Sequence, residues 1–160
     1  THAIVGSSIS YAFSLNPVGS FAVGFVSHFV LDAIPHWDYP TYFFNGTKGE
    51  KISKYKTLII DGGKIILDIT IGIIIPVVLF YQGDKNFAFL YGALGGMAPD
   101  FFHILYRLFP NKLISLINNF HHYCHTRIKL TDWRVVGPIL QILFSTVCVL
   151  LGMYIHKSLL

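Results

Sequence analysis

From Trp133 to Ile155 the chain carries one charged residue, Arg134, and from Ile65 to Phe80 only one, Asp68. Runs this apolar and this long favour a hydrocarbon surrounding. There every backbone N–H and C=O must be satisfied within the segment, which a helix does. The rest of the chain has the same bias. Hydrophobic residues make up 53% and Asp, Glu, Lys and Arg only 12%, against about 25% charged in an ordinary soluble domain. The expectation is a single all-α domain over residues 1–160, an integral membrane bundle of about six helices.

The net charge of +4 comes from lysines and arginines in the loops rather than from a basic stripe. That pattern suits lipid headgroups and gives no reason to expect a nucleic-acid partner. Two cysteines, Cys124 and Cys148, make no disulfide framework. Thr1-His2 precedes the first apolar stretch without a basic region, so no cleavable signal pattern is expected there.

Six helices are predicted. The first runs from about His2 to Leu15 and is rich in glycine and serine, which allow close helix approach. Its rise is about 20 Å, short of a ~30 Å bilayer core. Asn16-Pro17 makes a turn, and a second helix runs from Val18 to about Ile34, ended by Pro35. A third is expected from about Thr57 to Tyr81 with a kink at Pro76, and a fourth from about Phe87 to Phe109 with a kink or break near Pro99. The fifth should span Asn111 to about Tyr123 and the sixth Trp133 to Ile155.

The loop over residues 39–57 is basic (Lys48, Lys51, Lys54 and Lys56 against Glu50), as are Arg107 with Lys112, and Arg127, Lys129 and Arg134. In the turn at residues 82–86, Asp84 offsets Lys85. The positive-inside rule therefore puts the basic regions in the cytoplasm and that turn outside, as expected of a cytoplasmic (inner) membrane protein.

This topology places most of the histidines and aspartates at one side. His28 and Asp32 are four residues apart and share a helix face, and His36 and Asp38 follow Pro35 and can fold back over them. Asp100 and His103 lie just after Gly95, Gly96 and Pro99, and ligation is favoured for Asp100. His121, His122 and His125 close the fifth helix. Ionisable groups near hydrocarbon are costly unless compensated, and His with Asp at helical spacing suggests a metal ion as the compensation. The plainer alternatives are clusters exposed to headgroups and, for Asp68, an ion pair with Lys64 four residues earlier. Imidazole and carboxylate donors favour zinc, with manganese or iron open.

Thr1-His2 with Gly6, His28-x3-Asp32-x2-Pro35-His36-x-Asp38, Gly95-Gly96-x2-Pro99-Asp100 and the late histidines together resemble the membrane-bound metal-dependent hydrolases. These are thought to be distant relatives of zinc-dependent phospholipase C and the fungal single-strand nucleases. The resemblance implies a helical bundle holding up to three zinc ions that cleaves phosphoesters. It implies His2, His28, Asp32, His36 and an aspartate of the third helix as ligands. The sequence departs from those relatives in lacking a His-x3-Glu pair, its only glutamate being Glu50.

The expected metal ligands are thus His2, His28, Asp32, His36, Asp68, Asp100, His121 and His125, binding two or three ions. Asp38 and Asp32 are the candidate proton acceptors, and Arg107, Arg127 and Lys129 the candidates for holding an anionic headgroup. The function that follows is hydrolysis of a phosphoester on a lipid or lipid-linked substrate at the cytoplasmic face. A metal-binding transporter or sensor, and a structural protein whose helices are stapled by zinc, are the alternatives.

Overall fold

The structure is a computed structural model that describes residues 1–39, 41, 54–83, 87–126, 128, 133 and 135–159. Among them there are six helices and no strand: α1 (His2–Ala12), α2 (Pro17–Asp32), α3 (Lys54–Phe80), α4 (Ala88–Leu108), α5 (Lys112–Cys124) and α6 (Val136–Leu159).

Local chemistry sets several of the ends. The Asn16 side chain accepts from Gly19 N–H at 2.8 Å, and Pro17 opens α2 in the first turn, where its missing N–H costs nothing. Asn111 caps α5 in the same way, accepting from Ile114 N–H at 2.9 Å. α1 ends at Ala12, earlier than its apolar pattern suggests, and Ser14 has a positive φ of 46°. α2 ends at Asp32, not Ile34, because Pro35 disfavours helical geometry just before it. α4 runs as one helix through Pro99, so the expected break there does not occur.

The glycines before Pro99 serve packing instead. A Cβ at Gly92 would overlap the Gly6 backbone, one at Gly24 would overlap the Gly92 carbonyl, and one at Gly95 would lie 2.9 Å from Phe25 N. α1, α2 and α4 therefore meet backbone against backbone. Ser7, Ser8, Ser10 and Ser20 fill the seam, fully buried. Ser7 Oγ donates across it to the Phe89 carbonyl at 2.9 Å, so a buried hydroxyl is satisfied while two helices are tied together.

Large buried apolar side chains are few. Phe80, Phe89 and Val149 form a small cluster with Ile4, Tyr11, Val77 and Leu90 around it. α3 and α6 flank α1 and are each long and apolar enough to cross a membrane. Only 17% and 22% of their apolar windows are buried within the chain. Ile66, Leu67, Ile74 and Val78 on α3, and Ile142, Leu143 and Leu150 on α6, face outward.

Candidate metal centre

One end of the bundle gathers the ends of four segments. His2 opens α1, His28 and Asp32 occupy the last turns of α2, Asp100 lies on α4, and His121 on the last turn of α5. His36 and Asp38 follow α2, and His125 caps α5. Thr126 N–H donates to the Asp32 carbonyl at 2.7 Å, which pins the end of α5 to the end of α2.

Three groups of donors result: His2, Asp32 and His36; His28, Asp100 and His121; and His36, Asp38 and His125. Each could hold a metal ion. Asp32 also joins the second group. Its Oδ2 lies 3.1 Å from His28 Nε2 and 2.8 Å from His121 Nε2, while its Oδ1 lies 3.4 Å from His2 Nε2 and 3.9 Å from His36 Nε2. The two nitrogens of His28 and His121 are 3.2 Å apart, and Asp100 Oδ1 is 3.7 Å from each.

These separations test whether the side chains fit a small cation. An ion bound tetrahedrally at 2.0–2.1 Å has neighbouring donors about 3.3 Å apart. The three separations among His28, Asp100 and His121 run from 3.2 to 3.7 Å and bracket that value, while Asp32 Oδ2 lies closer, 3.1 and 2.8 Å from the two histidines.

The tautomers point the same way. A carbonyl can only accept, so His28 Nδ1, 2.7 Å from Gly96 O, carries a proton. Neutral His28 then presents a bare Nε2 to the corner. His36 Nδ1 donates to Ile34 O at 2.8 Å, which frees its Nε2 in the same manner. A backbone acceptor on one ring nitrogen is the usual support of a metal-ligating histidine. His2 Nδ1 and His121 Nδ1 are buried without a hydrogen-bond partner among the described residues, and buried Asp32 Oδ2 faces only the two imidazoles of His28 and His121. Buried polar atoms are rarely left so, and an ion would satisfy Asp32.

The rim differs in electrostatics. Burial pulls His36 down, but the hydrogen bond to Asp38, 3.1 Å away, the charges of Asp38 and Asp32 and the bond to the Ile34 carbonyl together outweigh it and raise its pKa to about 9. Burial pushes Asp38 up, yet hydrogen bonds from His125 and His36 hold it well below the usual carboxylate range. His125, 3.4 Å from Asp38, is raised by that bond. His122 stands exposed at the edge, lowered by burial and then by His103 and His121.

Of the residues expected from the sequence, the structure thus brings together His2, His28, Asp32, His36, Asp38, Asp100, His121 and His125. Asp68 is exposed on α3 and joins none of the three groups. Lys64, the alternative partner weighed for Asp68, instead lies 3.6 Å from buried Asp61. Arg107 is exposed in the last turn of α4. Arg127 and Lys129 lie outside the described residues, as do Asp84 and most of the basic loop over residues 39–57. His156 stacks on Tyr11 at the other end of α1, with ring centroids 4.1 Å apart, and Cys124 belongs to no donor group.

Sequence reasoning missed three supporting residues. Asn118 is buried and accepts from His103 Nδ1 at 2.7 Å. Gln141 Nε2 donates to the Trp37 carbonyl at 2.7 Å, and Gly137 packs on the Trp37 side chain. Gln141 could have been suspected as the one amide in an otherwise apolar run.

No family model, no curated protein and no solved structure matches this chain.

Proposed function

We propose that the chain is a membrane-embedded, metal-dependent hydrolase of phosphoesters, with zinc as the metal and a lipid or lipid-linked phosphoester as substrate. The convergence of His28, His121 and Asp100 at about the spacing of a tetrahedral site, with Asp32 beside the two histidines, carries the metal reading. Zinc suits it because nitrogen and carboxylate donors at that spacing match its preferred coordination. Adjacent ions would supply Lewis acidity toward phosphoryl oxygens and water, the chemistry phosphoester cleavage needs.

The residues divide the work. The inner group, His28, Asp100 and His121, has Asp32 beside it as a further carboxylate, whereas the rim group, His36, Asp38 and His125, offers three donors and leaves a position for substrate or water. Asp38, with its side chain 47% exposed, borders that position, where its carboxylate would orient attacking water. Asp32 touches both the corner and His2, so its charge balances the buried donors. Arg107 at the end of α4, with Arg127 and Lys129, draws an anionic headgroup to the rim. The apolar outer faces of α3 and α6 support a membrane setting for that rim, and the basic loops favour the cytoplasmic side of the inner membrane.

Elemental analysis of protein purified in detergent, followed by a panel of phosphomonoesters and phosphodiesters including phospholipids, tests the reading. At least one transition-metal ion per chain and turnover abolished by chelator are expected. Absence of metal, with stability unchanged by chelator, would defeat it. Metal without turnover on any phosphoester would favour the stapled-helix alternative. Orientation is read separately: a cysteine at Lys51 should label only from inside and one at Asp84 from outside.

A further inference from the structure

His36 and Asp38 supply two of the three rim donors, and the residue between them is Trp37. Trp37 is held by α6. Gln141 donates to its carbonyl at 2.7 Å, and Gly137, four residues earlier on the same face of α6, lies directly against its side chain. A Cβ at Gly137 would stand 2.6 Å from Trp37 Cγ and 2.9 Å from Cδ1. The Trp37 indole N–H is buried with no hydrogen-bond partner, so the ring is retained there for its shape.

We infer that Gly137 and Gln141 of α6 are positioning residues for the rim site, setting His36 and Asp38 through Trp37. The inference rests on the proposed metal reading for its chemical meaning. Its consequence is that a helix of membrane-crossing length, which carries no ligand itself, decides whether the open site is formed. The corner donors hang on α2, α4 and α5 and do not depend on that contact.

The test uses Gly137→Val, which forces the ring away, and Gln141→Leu, which keeps volume and removes the donor. Gly152→Val is the control. Gly152 also lies in α6 and packs against the Ser8 carbonyl, so its substitution loosens α6 from α1 without touching Trp37. Metal content and the visible spectrum of the cobalt-substituted protein are measured for each. Trp37 emission is measured in a Trp133→Phe background. Both test variants should lose one ion per chain, or bind it at least ten-fold more weakly, with a changed cobalt spectrum and red-shifted Trp37 emission. Gly152→Val should keep the ions and the emission even if it melts earlier, and should Gly137→Val fail to fold, Gln141→Leu decides. Unchanged emission and unchanged metal in Gln141→Leu would overturn the inference, as would equal loss in Gly152→Val. A parent without metal defeats the functional reading instead, and the emission shift still judges the positioning claim.

Discussion

The corner and the rim of the centre use the same residue types and are built differently. His28 and Asp32 of the corner are fully buried, their rings and carboxylates carried on helices whose backbones touch through glycine. His36, Asp38 and His125 of the rim sit on segments beyond helix ends, half-buried, and lean on one another and on α6. A site on packed helices is preorganised, and its loss leaves uncompensated buried groups. A site on loops is easier to open, which suits exchange of substrate and water.

The largest effect should come from the corner. Asp32→Asn keeps the size of the side chain and removes the charge facing His2, His28 and His121. Metal content should fall by at least one ion per chain and phosphoester hydrolysis by ~100-fold or more. Asp68→Asn, on the exposed face of α3, should change neither. Equal loss in both would erase the distinction between the corner and the surface.

Asp38→Asn should remove rim function while sparing the corner. One ion remains tightly bound by elemental analysis, hydrolysis drops by ~10–100-fold, and the melting temperature in detergent barely moves. Loss of all metal would mean that the two regions load as one unit.

Gly96→Ala sharpens the packing side of the comparison. Its methyl group would press on the His2 carbonyl and backbone of α1, next to the carbonyl that holds His28. Overpacking of this kind costs ~1–3 kcal/mol, so a lower unfolding midpoint and weaker corner binding are expected, with Trp37 emission unchanged.

The smallest effect is a pH dependence confined to the rim. The pKa of His36 is raised to about 9 from an ordinary 6.5. In metal-free protein its pairing with Asp38 therefore stabilises fully below about pH 6.5, and that contribution fades as pH rises through about 9. The metal-free melting temperature should fall slightly over that window and stay flat in His36→Gln. Metal affinity at the rim should move the opposite way, since ligation needs the proton gone from His36 Nε2. A melting profile identical in the two proteins would remove His36 from the pair.

Much of this was legible in the chain itself. Apolar runs with a single charge dictate helices, because the spacing of apolar residues and the need to satisfy the backbone leave no other regular structure. Asn16-Pro17, Asn111 and Pro35 mark helix ends through local chemistry that depends on nothing distant. His28 and Asp32, four apart, had to share a face whatever surrounded them. Contacts between segments were another matter. That Gly92 and Gly24 bring α4 against α2, that Asp100 turns toward His121 while Asp68 faces outward, and that Lys64 meets Asp61 depend on how helices rotate about their axes. No local pattern encodes that rotation. Trp37 shows the limit most clearly. Only the arrival of Gly137 and Gln141, a hundred or more residues away in the chain, makes it a support for the two donors beside it.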